Sequence, residues 1–125
     1  LERAMNELEF VGLAESYAEE AGSLSYGNQR LLEIARALAS DPKLIILDEP
    51  AGSMNDPETA VLIELIYAIR QRGVTVLLIE HDMGLVMKVC EKLLVLEYGS
   101  LIASGSPEVV RRDPKVIEAY LGQDD

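Results

Sequence analysis

The chain predicts an α/β fold with a partly parallel sheet, and three observations predict it. Two short apolar runs, 44–47 and "VTVLLIE" (74–80), are bounded by prolines or glycine, as strands buried on both faces are. A helical pattern, "NDPETAVLIELIYAIRQRG", lies between them, so the strands run parallel with a right-handed crossover. Helices precede this unit, a hairpin and further helices follow it, and no internal repeat or low-complexity linker interrupts the order.

Each element has its own local reason. Residues 2–10 read as a short helix ending near Gly12, and 13–20 as a further short helical piece. "AGSLSYG" is a loop, after which Leu31, Ile34, Ala35 and Leu38 repeat at helical spacing. Asp41-Pro42 stops that helix, because the residue before proline disfavours the α region. In the central helix Asp56 is the expected N-cap, Pro57 the first helical residue and Gly73 the stop. "HDMGLVMKVCEK" is a helix capped by Asp82. "LLVLEYGSLIASG" reads as two strands around a turn at Glu97-Tyr98-Gly99-Ser100. Ser106-Pro107 and Asp113-Pro114 each join a cap to a proline and open two closing helices.

Composition narrows the function. The 125 residues suffice for one domain with a core, at 49% hydrophobic and 26% charged. Twenty-two acidic against 11 basic residues give a net charge of −11, which repels phosphate backbones and excludes broad nucleic-acid binding. A small nucleotide held by local N–H groups and a metal ion is compatible with that charge. No apolar run is long enough to span a bilayer, so no membrane insertion by this chain is expected. The single cysteine, Cys90, sits among Val86, Val89 and Leu93, which fits a structural thiol in a reducing cytoplasm.

Three stretches carry chemistry. In "LIILDEP", Asp48 and Glu49 follow an apolar strand, at the carboxyl end where open α/β sheets bind ligands. Two carboxylates there stay wet or meet a cation, because burying them unpaired is costly. In "LLIEHDM", His81, the only histidine, follows the second strand, and one histidine with a distant cysteine lacks zinc-ligand spacing. In "LSYGNQR", Ser25 offers a hydroxyl, Gly27 admits close approach and a helix presents its positive end, the elements of an anion contact. Taken singly, each stretch also fits a plain structural reading: a solvated strand end, an exposed histidine, a helix-entry loop.

Their order is more specific than any one of them. "LSYGNQR", the "EIARAL" helix, "DPKLIILDEP", "AGSMN" and "LLIEHD" together resemble the second half of an ABC-transporter ATPase, a P-loop NTPase, over nearly the whole chain. "EHDM", "AGSMN" and the tail "SPEVVRRDPKVIEAYLG" look most like the ATP-binding subunits of branched-chain amino-acid uptake systems. The resemblance divides the chain into a helical signature segment, 1–42, and a stretch from the Walker B strand to the C-terminal part of the core, 43–125. It implies that Asp48 holds Mg²⁺ through water and that Glu49 orients and deprotonates the attacking water. It implies that His81 contacts the γ-phosphate, and that Ser25, Gly27 and Asn28, in the signature motif, serve ATP held by a partner subunit. Gly52, Ser53, Met54 and Asn55 match the D-loop, which links the two sites of a dimer. ATP and Mg²⁺ are the implied cofactors.

The implied partners are a second ABC ATPase subunit and transmembrane permease subunits, at the cytoplasmic face of the cell membrane. Tyr26 stands in place of the first glycine of the signature pair, Asn28 in place of its glutamine, and Asn55 where aspartate is usual. No Gly-x-x-x-x-Gly-Lys-Ser/Thr loop occurs in the 125 residues. The expectation is therefore about half an ATPase domain, inactive alone, with an open apolar edge at the Walker B strand. Two alternatives remain: a non-hydrolysing interaction module, and a non-transport ABC ATPase, against which the acidic charge and the absence of long heptads weigh.

Overall fold

A computed structural model of the chain describes residues 1–121. Its contacts gather into two compact units, Leu1–Glu80 and the described residues from His81 onward.

In the first unit, α1 (Glu2–Val11) ends at Gly12, whose φ of 86° gives the left-handed C-cap. The stretch expected as a second short helix forms only a 3₁₀ turn at Ala14–Ser16, followed by another at Ala21–Ser23. The bonds there span three residues, from the Ser16 N–H to the Leu13 carbonyl and from the Glu19 N–H to the Ser16 carbonyl, each at 3.0 Å. Helix α2 (Tyr26–Leu38) buries Ile34, Ala35 and Leu38 and packs on α1. Strand β1 (Leu44–Asp48) leads into α3 (Asp56–Gln71) and then β2 (Thr75–Ile79). The two strands pair in parallel, from Leu44 opposite Thr75 to Asp48 opposite Ile79, so the expected β–α–β unit is present.

The N-cap of α3 differs from the expectation. Asn55, not Asp56, holds the extended cap conformation and accepts from the Glu58 N–H at 2.9 Å. The Glu58 carboxylate accepts from the Asn55 N–H at 3.2 Å, completing a capping box. Asp56 is already helical. A second link was not legible in the sequence. Arg72, just past α3, donates two hydrogen bonds to the buried Glu7 of α1 at 3.0 and 3.1 Å, with its guanidinium 4.5 Å from the Phe10 ring centre. This bidentate pair ties α1 to the end of α3.

The burial of the strands is also corrected. Ile45 and Leu47 are buried, while Leu44 and Ile46 are 50% and 57% exposed. On β2, Leu77 and Ile79 are 47% and 48% exposed. α3, with Leu62, Leu65, Ile66 and Ile69 buried, supplies a packing layer on one face. Among the described residues the other face of this two-stranded sheet has no layer, so an apolar run of the both-faces-buried type is half covered.

The second unit is a small α/β cluster. α4 (Met83–Val89) is capped by Asp82, whose Oδ1 accepts from the Leu85 N–H at 3.2 Å, as expected. β3 (Leu93–Glu97) and β4 (Ser100–Gly105) form an antiparallel hairpin. Its Tyr98-Gly99 turn has φ of 49° and 79°, the torsions of a type I′ turn. The closing helices are single turns, α5 (Pro107–Val110) and α6 (Pro114–Val116), the latter running into a π-helical turn at Ile117–Leu121. Ser106 and Asp113 cap them. Val86, Leu93, Val95, Val110 and Val116 make the core, with Cys90 packed against it, and the Tyr120 hydroxyl donates to the Leu96 carbonyl.

Candidate functional site

The parallel register places the acidic pair at a sheet end. Asp48 is the last residue of β1 and lies opposite Ile79. The next residue, Glu49, still donates its N–H to the Ile79 carbonyl at 2.8 Å, so β2 anchors it. Its φ is nevertheless +47°, a left-handed torsion that costs a residue with a Cβ about 1–2 kcal/mol. That torsion breaks the strand's alternation between Asp48 and Glu49. Both residues are exposed, so neither carboxylate bears the cost of unpaired burial.

The chain then folds into a tight loop. The Gly52 N–H donates to the Glu49 carbonyl at 3.1 Å, and the Met54 N–H to the Ala51 carbonyl at 3.0 Å. Ser53 has φ +68°, a second left-handed torsion within five residues. Asn55 ends the loop as the cap of α3. Glu80, which the sequence reading passed over, accepts from the Ala51 N–H at 3.4 Å and so ties the loop to the end of β2. Its signal was its place: it follows β2 as Glu49 follows β1. His81 comes directly after Glu80 and is exposed.

"LSYGNQR" begins α2. Ser25 is its N-cap, and its Oγ accepts from the Asn28 N–H at 3.2 Å, leaving the hydroxyl hydrogen to donate elsewhere. Gln29 donates to the Leu24 carbonyl at 3.1 Å. Tyr26, the departure from a glycine pair, accepts from Arg30 Nη2 at 2.8 Å, and the guanidinium lies 5.2 Å from its ring centre. That hydrogen bond holds the Arg30 pKa above its ordinary value. Gly27 is buried, and the group that approaches it most closely is the Glu58 carboxylate.

The donor set suits the implied ion. A wet carboxylate such as Asp48 is a hard oxygen ligand of the kind that holds Mg²⁺ together with its water. A groove of about 580 Å³ between α1 and α2, lined by Ala4, Leu8, Leu32, Ala35 and Arg36 among others, is chiefly apolar. It suits neither phosphate nor Mg²⁺.

Helix α2 with its Ser25 cap, β1 followed by Glu49, the tight loop, and β2 followed by Glu80 and His81 stand in the order that the ABC-transporter resemblance implies. Residues 1–52 match the ABC transporter family, and 100–125 match the branched-chain amino acid ATP-binding cassette transporter family. The chain belongs to the ABC-transporter ATP-binding family. Within it, the chain is similar to the high-affinity branched-chain amino acid transport ATP-binding proteins LivG of Escherichia coli K12 and BraF of Pseudomonas aeruginosa. Identities are 47% and 48%, each over 98% of this chain and 49% of the relative. The ADP conformation of MJ1267, an ATP-binding cassette of an ABC transporter, superposes with a TM-score of 0.88 at 36% identity, over 98% of this chain and 50% of that one. The chain thus spans about half the length of the relatives it matches.

Proposed function

We infer that this chain contributes the signature and Walker B half of an ATP-hydrolysing subunit that drives an ABC importer. The observation that carries the reading is Glu49, held in a left-handed torsion beside Asp48 at the wet end of a parallel sheet. Strained torsions persist where the surrounding structure over-determines them, and they cluster at active sites. Glu49 is the group that orients and deprotonates the attacking water. Asp48 would hold Mg²⁺ through water, and the ion would supply charge neutralisation for the transferring phosphoryl group. His81 takes the γ-phosphate contact on its place in the motif order. Ser25 donates its hydroxyl to the γ-phosphate of an ATP held by a partner subunit, with Gly27 and Asn28 beside it at the positive end of α2. Gly52, Ser53 and Asn55 form the loop between the two sites of the dimer.

Branched-chain amino acids are the proposed cargo class. The names of the 47–48% identical relatives and the family match at 100–125 support this. The proposed partners are a second ATP-binding subunit and permease subunits, at the inner face of the membrane. No helix among the described residues is long and apolar enough to cross a membrane, so a permease is the link to the bilayer.

Reconstitution tests the reading. This chain is mixed with the N-terminal half of a LivG relative that carries a phosphate-binding loop. ATP hydrolysis is expected in the mixture and absent from the chain alone. Glu49→Gln is expected to abolish hydrolysis while ATP binding persists. Hydrolysis that survives Glu49→Gln overturns the role of Glu49.

A further inference from the structure

Gly27 presents a question that its backbone does not answer. It lies in the first turn of α2 without a left-handed torsion, so an alanine would fit the backbone and favour the helix. The reason for glycine is space. A Cβ built there would meet Glu58 Oε2 at 1.8 Å and Glu58 Cδ at 2.8 Å. The carboxylate of an α3 residue, 31 positions further along, occupies the place a side chain would take.

The two ends of Glu58 do different work. Oε1 accepts from the Asn55 N–H at 3.2 Å, at the close of the 52–55 loop. Oε2 rests against Gly27 at the start of α2. The first turn of α2 has no acidic residue of its own, so a negative group from α3 complements its positive end. One rigid carboxylate plane therefore joins two stretches that are far apart in the chain.

We propose that Glu58 is a positioning residue that locks the signature turn at Gly27 to the loop ending at Asn55, so that the two move as one piece. This rests on the reading above for its mechanistic meaning, since both stretches are there assigned to nucleotide contact. Glycine at 27 is then what admits the Glu58 carboxylate, and a side chain there would have to displace it. A side chain at 27, or loss of the carboxylate at 58, breaks the lock from opposite sides.

The test is a double-substitution cycle on the 125-residue chain without nucleotide, read by amide hydrogen exchange, which needs no cooperative transition. Glu58→Ala is expected to speed exchange at Asn55 roughly fivefold, as loss of a capping contact does, and to speed exchange at Asn28 as well. Gly27→Ala alone is expected to speed exchange at both positions; added to Glu58→Ala it is expected to cause no further acceleration, because the collision has gone and alanine favours the helix. Glu58→Gln keeps the length, the shape and one acceptor but not the charge, and is expected to restore slow exchange fully at Asn55 and in part at Asn28. A Glu58→Ala effect confined to Asn55, or additive effects in the double variant, overturns the lock and leaves Glu58 as a helix cap only.

A second measurement uses the reconstituted ATPase. Glu58→Ala is expected to lower kcat with little change in ATP affinity, and Glu58→Gln to recover it. An unchanged kcat overturns the positioning role. Absence of hydrolysis from the reconstituted mixture would remove the ATPase reading but leave the exchange cycle standing, so the two failures are distinguishable.

Discussion

Glu49, the proposed base, holds a torsion that its residue type does not favour. Its φ of +47° would be relaxed in glycine. Glu49→Gly is therefore expected to leave unfolding stability unchanged or raise it by up to about 1 kcal/mol, strain relief being partly offset by the freer unfolded chain. The same substitution removes the proposed base. Denaturant titration checks this, and a loss above 1 kcal/mol would argue that the torsion carries no strain. Ser25 separates structure from chemistry in another way. Ser25→Asp keeps an N-cap acceptor, so helix stability is expected to hold within about 0.5 kcal/mol. A carboxylate facing a phosphate should nonetheless suppress ATP-dependent activity of the reconstituted pair, which a coupled hydrolysis assay measures. The identities of Asp48, Glu49, His81 and Ser25 were legible in the sequence because each sits at a recognisable element end. The torsion of Glu49 was not, since a non-glycine residue gives no local signal for a left-handed backbone.

At the scale of elements, sequence reading was accurate where one local rule acts alone and failed where two compete. Asp82, Ser106 and Asp113 cap their helices as expected. At α3, Asn55 and Asp56 both qualify, and the winner is the residue with a glutamate three positions on to complete the box. Asn55→Ala is expected to cost about 1 kcal/mol and Asp56→Ala less than about 0.5; equal losses would contradict the assignment. The Glu7–Arg72 pair spans 65 positions, and no pattern within either helix announces it. Glu7→Ala leaves a partly buried guanidinium without its partner and is expected to cost about 2 kcal/mol. If the cost comes from the pair, Arg72→Ala added to it should cost little more.

At the scale of the molecule, the open face of β1 and β2 is the dominant feature. Leu44, Ile46, Leu77 and Ile79 are each about half exposed on a two-stranded sheet. A contiguous apolar face and an unpaired strand edge favour association. The chain alone is expected to self-associate on size-exclusion chromatography and to bind a hydrophobic dye. Ile46→Lys with Leu77→Lys is expected to shift it towards monomer and also to weaken reconstitution with the complementary half. A compact monomer with low dye binding would count against this.

By itself, the sequence determined the class of fold, the order of the elements and the motif residues. Each of those is written in local periodicity, caps and strand-end residue types. Tertiary structure decided which strand face is covered, which residue caps α3, that β2 holds Glu49 in a strained torsion, and that Glu58 fills the space Gly27 leaves open. These are decided by groups far apart in the chain, and the free energy of a contact between distant residues depends on where the fold brings them, not on either stretch alone.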